Sequence, residues 1–294
     1  MARSKVETAE PALERRPGRS GSELVLVEDA GDDKRRRDVD QWGRSERARA
    51  LARRVFDPLY RNWFRAEWEG LDNIPATGGA LLVANHAGGL PMDGPVIMHG
   101  VEQERDRRVY VLAEHMLRSL PVVSTIFSRI GGVNAHPDNA YRLLHDEGEL
   151  ALVFPEGTKA TGKPMWERYQ LRRFGRGGFV ELAMRAGVPV VPIAVVGSEE
   201  AMPVITGLPS VARGLGVPYV PITPQMLLLG PLGILAFLPA KFRLLVLPPI
   251  HFDAAPNQER YSRGLVMEES EAIRQQLQEA LSQMLRRRQS VWRG

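Results

Sequence analysis

The 294-residue chain contains no cysteine, which excludes disulfides and thiolate nucleophiles and suits a reducing compartment. It also lacks a long hydrophobic run. The longest, Met226 to Ala240, falls short of a bilayer span and is interrupted by Gly230-Pro231 and Pro239. The first twenty residues carry charge and proline without an apolar centre, so no signal peptide is expected in them. Lysine is scarce, five of 39 basic residues, a bias that by itself carries no mechanism. What is present, 44% hydrophobic and 25% charged residues, is ordinary for one large or two small globular domains. The net charge of +4 favours anionic partners: nucleic acid, a membrane surface or a phosphorylated substrate.

Residues 1–43 are polar and charged without apolar periodicity and read as a disordered tail, its Lys34–Arg37 cluster most simply a solvated charge run. A single folded domain is expected over 44–294. It opens with an amphipathic helix pair over 44–68, divided at Asp57-Pro58 with Asp57 capping the second helix. Aromatics on one face and arginines beside them suit a helix lying in a membrane interface; a pair packed on the core with its arginines in water is the alternative. Apolar runs at Ala80–Asn85, Arg108–Ala113, Leu150–Phe154, Val188–Val196 and Phe242–Leu247 read as strands. They alternate with helical patterns near 95–104, 115–128, 138–147 and 176–186. This order predicts an α/β fold with a mostly parallel central sheet covered by helices. Pro192 would mark a sheet edge or site rim, 197–224 reads as irregular loop, and 268–288 as a closing amphipathic helix. The stretch 226–240 reads as core, a shallow membrane insertion or an acyl-chain wall.

The chemistry concentrates where strands end. The run Ala80–Ala84 stops at Asn85-His86, two glycines and a proline follow, and Asp93 stands before a Gly-Pro that opens a helix, where it could serve as N-cap. A carboxylate beside an imidazole holds one tautomer and leaves the other nitrogen as a general base. No cysteine and no Gly-x-Ser-x-Gly elbow accompanies the pair, so the substrate's own hydroxyl is the expected nucleophile. His99, His115, His136, His145 and His251 show no ligand spacing, and no metal is expected. A second cluster, Glu156, Gly157, Thr158 and Lys159, follows Phe154-Pro155 at another strand end and suits a polyol or phosphate. The string Gly157 to Lys163 matches Gly-x4-Gly-Lys, but Pro164 supplies neither hydroxyl nor amide for a nucleotide cradle. Arg172, Arg173 and Arg176, leading into a helix, suit a phosphate-bearing substrate; no nucleic-acid module surrounds them.

Together these stretches resemble the glycerophospholipid acyltransferase family, over roughly Leu71 to Gly197. Asn85-His86 with Asp93 is similar to its first block, Phe154–Thr158 to its third and Val191-Pro-Ile193 to its fourth. The resemblance implies His86 as base, Asp93 as its orienting partner, and Glu156–Lys159 as part of the acceptor site. It also implies an acyl-CoA or acyl carrier protein co-substrate, no other cofactor, a membrane-lipid acceptor, and a peripheral place on the cytoplasmic face of a membrane. Amides of the glycine-rich turn would hold the oxyanion. Two departures stand out. Six residues, Ala87–Met92, separate His86 from Asp93 where the family has four, so the insert must loop out. The second block, Ile130–Asn134, ends without the family's phosphate-binding arginine, which leaves Lys159 or Arg172, Arg173 and Arg176 to supply that charge, or a neutral acceptor such as diacylglycerol.

Overall fold

The computed structural model describes residues 38–113, 121–215, 219–258 and 260–294, without the side chains of residues 121, 158, 159 and 215. Most of the tail, Lys34–Arg37 included, and His115 with the first part of the 115–128 helix lie outside the described residues. Nine strands are present among them: β1 Glu67–Glu69, β2 Ala80–Ala84, β3 Val109–Ala113, β4 Gly132–Asn134, β5 Leu150–Val153, β6 Val190–Val196, β7 Thr206–Gly207, β8 Pro221–Ile222 and β9 Arg243–Val246. Seven form one sheet in the order β1-β9-β6-β2-β5-β3-β4, parallel throughout except where β9 joins β6. The architecture is therefore the expected α/β one, and all five anticipated strands are in it. β1 and β4, three residues each, are too short to leave a pattern in sequence.

The central strand shows why an unbroken apolar run works here. Every residue of β2 is buried. Leu81 and Val83 point to one face, and Ala80, Leu82 and Ala84 to the other, each into its own cluster. The first cluster is covered by helices α6 Gly178–Ala186 and α10 Arg263–Arg287; the second by α2 Asp93–Arg105 with Phe64 and Phe242. To keep these α-labels in chain order, α1 is Glu46–Pro58, α3 Pro121–Arg129, α4 Pro137–Tyr141, α5 Thr158–Thr161, α7 Ser198–Ala201, α8 Pro209–Leu215 and α9 Pro224–Leu229. The stripe Ile273, Leu277 and Leu281 of α10 is fully buried, and Val266 carries it further towards the amino end, so the helix begins five residues before the expected Glu268. At Gly177 a Cβ would come within 2.7 Å of Val266, so glycine permits this close approach.

Four local expectations are corrected. Pro58 does not divide the first helix: α1 runs through Asp57, and the chain continues as a π-turn over Leu59–Trp63, with Phe64 N bonded to Leu59 O. Asp57 lies inside the helix and, instead of capping, accepts from Arg61 Nε and contacts His99 Nε2. Pro192 is interior, because β6 lies between β9 and β2. The β6–β9 ladder ends at Ile193, next to the proline that has no N–H to extend it, while Pro192 O accepts from Leu247 N. Asp93 is the first residue of α2, not its cap. Residues 198–222 are not merely loop but hold α7, α8 and the antiparallel β7–β8 pair.

The start of the domain is pinned earlier than composition suggests. Asp40 Oδ2 accepts from Tyr110 OH at 2.7 Å, and Val39 bridges Ser45. Three arginines, Arg44, Arg49 and Arg53, converge on Glu102 at 3.0, 2.8 and 3.2 Å. Burial opposes ionisation of Glu102, but Arg49 and Arg44 outweigh it and hold its carboxyl below the usual range. So α1 and the π-turn after it pack on the core through Phe56, Leu59, Tyr60 and Phe64, the arginines of α1 go partly inward, and Leu51 and Val55 stay exposed. Tyr110→Phe is expected to cost about 1 kcal/mol in denaturant unfolding, because it strands only the Asp40 acceptor. No loss at all would mean that this anchor is made in water's place without gain.

Candidate active site

β2 and β5 are parallel neighbours with Val83 opposite Val153, so the two sequence blocks leave the sheet side by side at its carboxyl edge. His86 and Phe154 emerge there and stack, ring centres 4.1 Å apart. Asn85 cannot turn away, because its amide bridges β6: Nδ2 donates to Val195 O and Oδ1 accepts from Val195 N. His86 Nδ1 lies 3.2 and 3.1 Å from the two oxygens of Asp93, which is fully buried. The same carboxylate accepts from Ala87 N and Gly94 N, both at 2.9 Å. The six-residue insert therefore does loop out and still returns Asp93 to the imidazole. With Nδ1–H directed at Asp93, Nε2 has no hydrogen-bond partner among the described residues and carries the free lone pair.

Segment 198–222 grips the insert. Ser198 Oγ donates to Ala87 O, Gly89 N to Met202 O, and Tyr219 OH to Gly89 O. Gly88 takes φ 92°, and a Cβ there would stand 2.9 Å from Ser198 O. The glycines thus serve the packing of the turn. The amides of Ala87, Gly89 and Gly94 are spent on Asp93 and Met202, so these three cannot hold an oxyanion as the turn was expected to.

The Glu156 block faces inward. Glu156 Oε1 accepts from Arg172 N at 2.7 Å and from Lys163 Nζ at 3.3 Å; Oε2 is buried without a hydrogen-bond partner among the described residues. Lys163, the last residue of the P-loop-like string, is itself buried, donates to Gln170 O and lies 3.8 Å from Glu199 Oε1. Burial pushes the Glu199 carboxyl up to about 7, against the pull of the Lys163 cation and of Tyr169 N, with Glu200 and Glu156 adding to the rise. Tyr169 in turn contacts Glu200, which Arg288 also binds. Gly157 has φ 65° with open space where a Cβ would be, and α5 starts directly after it. The side chains of Thr158 and Lys159 lie outside the described residues.

Arg172, Arg173 and Arg176 are exposed. Arg172 pairs with Glu167 at 2.8 Å, and Arg173 faces Met267 and Glu271 of α10. Among the described residues no contact joins the three guanidiniums to His86; the link to the site is the Arg172 backbone amide. Lys163, Glu199, Ser198 and Tyr219 went unnoticed in sequence. Only Lys163 left a trace there, in a motif that Pro164 disqualifies.

The sheet edge thus carries an Asp-held histidine with a Phe-Pro-Glu-Gly-Thr turn against it. The Acyltransferase family model matches residues 65–196, which contain both blocks. An uncharacterized protein of Mycobacterium tuberculosis is 39% identical over 247 residues, 83% of this chain and 68% of that protein. A human protein described as a DGAT1/2-independent enzyme synthesizing storage lipids is 25% identical over 146 residues, 50% of this chain and 44% of its own. The fold is similar to that of the 1-acyl-sn-glycerophosphate acyltransferase PlsC from Thermotoga maritima, with a TM-score of 0.51 and 23% identity, covering 81% of this chain and 79% of that one. The chain belongs to the Acyltransferase family, and it is an acyltransferase.

Proposed function

We propose that the protein moves a fatty acyl group from an acyl thioester, on coenzyme A or acyl carrier protein, to a hydroxyl of a glycerolipid: a lysophospholipid or glycerol-3-phosphate. The observation that carries this reading is the contact of His86 Nδ1 with both oxygens of a fully buried Asp93, with Nε2 left open beside Phe154. Asp93 keeps the proton on Nδ1 and stabilises the imidazolium that forms. His86 Nε2 takes the acceptor's hydroxyl proton, the oxygen attacks the thioester carbonyl, the carbon–sulfur bond breaks, and the departing thiolate receives the proton. Asp93 and His86 move protons and orient; the new ester bond is made wholly between substrates. In this reading no cofactor beyond the acyl donor and no nucleic acid takes part.

The acceptor side rests on Glu156 to Lys159, with Arg172, Arg173 and Arg176, exposed on the following segment, as the cations for a phosphate. A neutral acceptor such as diacylglycerol is the second reading. It is favoured by Ile130–Asn134, which ends the β4 edge with asparagine in place of arginine, and by the likeness to the storage-lipid enzyme. Among the described residues no helix is long and apolar enough to cross a membrane. Exposed Leu51 and Val55 on α1, at helical spacing beside arginines, support a peripheral place at a membrane surface, which we place on the cytoplasmic face.

The test is a labelled acyl thioester offered with lysophosphatidic acid, glycerol-3-phosphate or diacylglycerol. Product from a phosphate-bearing acceptor supports the first reading, and from diacylglycerol alone the second. In the same assay Asp93→Asn is expected to lower kcat about a hundredfold with KM within about twofold, because it disturbs the tautomer and leaves substrate contacts in place. An unchanged kcat would remove Asp93 from the chemistry.

A further inference from the structure

Residues 214–240 contain no Asp, Glu, Lys, Arg or His. Within them α9 is followed by a 3₁₀ segment, Gly230–Leu235, and the two fold back on each other. Glycine makes this possible: Gly230 takes φ 62°, and a Cβ on Gly233 would stand 2.2 Å from Gln225 O. The backbones meet on the inside, so the side chains go outward. They are leucines, with Leu227, Leu228, Leu229, Leu232 and Leu235 exposed by 69, 84, 59, 75 and 67%. Five such leucines on one charge-free projection form a contiguous apolar surface, not the scattered single residues that a soluble face carries.

The hairpin is also held stiffly. Thr223 Oγ1 caps α9 through Met226 N, while Gln225 Nε2 and Leu238 N both donate to Ala201 O. At its base stands a polar-aromatic collar. Trp63 Nε1 donates to Phe237 O at 3.0 Å, and Arg65 Nη2 donates to Pro239 O and Trp292 O at 2.6 and 2.7 Å. Trp63 and Trp292 are 44 and 49% exposed. A leucine tip with indoles and a guanidinium behind it matches the profile of a lipid leaflet, acyl chains first and headgroup level next. A second copy of the chain would need no such gradation.

We propose that this hairpin, Pro224 to Leu235, inserts into one leaflet of a membrane and is the element that docks the enzyme on lipid. The inference rests on the reading above that the substrates are lipid-borne. It also gives the hairpin a place in the reaction. Ala201, to which its stem is tied, belongs to α7, and α7 with Met202 grips the turn that carries His86. Insertion therefore brings that turn to the lipid surface.

The experiment is flotation of the full chain with phosphatidylcholine vesicles containing anionic phosphatidylglycerol. Leu228→Glu combined with Leu232→Glu is expected to lower the vesicle-bound fraction about tenfold or more, since both side chains must carry charge into lipid. The melting temperature should hold, because neither leucine is buried, and transfer from a short-chain, water-soluble thioester should persist. His86→Ala should float as the wild type does. Flotation unaffected by the double substitution would overturn the proposal. So would a wild-type dimer in sedimentation that the substitutions split while flotation persists, which would make the face an interface between copies. Flotation requires no acyl transfer, so a failure of the catalytic reading would be seen separately, as absence of product with every acceptor.

Discussion

His86→Ala lowers kcat/KM for acyl transfer about a thousandfold or more, as expected for removal of a general base that no neighbouring group can replace. The reason is local. Among the described residues no other imidazole adjoins Phe154 or Asp93. Glu156 and Glu199, which follow β5 and β6, are committed to a buried cation. The fold should survive. Asp93 keeps its bonds from Ala87 N and Gly94 N, Asn85 keeps its two bonds to Val195, and the lost ring leaves an opening at the surface and not a sealed cavity. Steady-state kinetics paired with a melting curve checks both halves. A variant that retains more than about a tenth of wild-type activity would take the proton transfer away from His86.

Lys163→Met has the largest expected effect on stability, a loss of about 3–5 kcal/mol at pH 8, because it leaves two carboxylates buried without their cation. The pH dependence distinguishes this cause from simple mispacking. The Glu199 carboxyl is raised to about 7 in the folded protein by burial, above its ordinary value of 4.5. A raised carboxyl takes up a proton on folding, so its favourable contribution is complete below about 4.5 and is lost as pH rises through about 7. Removing Lys163 takes away the attraction that limits that rise. The deficit of the variant should accordingly shrink towards pH 5, where Glu199 is neutral, and widen towards pH 8. Urea unfolding of both proteins at the two pH values measures it. Equal deficits at both would show that Lys163 acts by shape alone. Glu199→Gln should flatten the wild-type dependence over the same interval.

Asp93 was legible because it stands before a Gly-Pro that opens a helix, and His86 and Phe154 because each ends or follows an apolar run. The strands were legible for the same reason. Lys163 was not: a lysine between glycine and proline has no period, and its burial arises from Glu156 and Glu199, which the chain brings to it from either side. Glu199 follows Gly197-Ser198 at the end of β6, where composition suggests only loop. The interior place of Pro192 escaped because it depends on a neighbour's accommodating a missing N–H, here by ending the β6–β9 ladder at Ile193. The exposure of Leu227 to Leu235 was equally hidden. A run of leucines looks the same whether it is core or surface.

The position of β9 governs the order in which the chain can finish folding. Among the described residues β1, residues 67–69, has its one ladder with β9, residues 243–246, and β9 also closes the flank of β6. During synthesis the first strand of the sheet must wait for the last, while β6 presents an open edge. Long-range pairing of this kind slows folding, and an uncovered central strand invites association with other chains. A nascent chain halted near residue 200 would hold His86, Asp93 and Phe154 already yet lack the strand that seals the sheet. It would also lack Met202 and Tyr219, which hold the turn after His86, so neither the sheet nor the site would be complete.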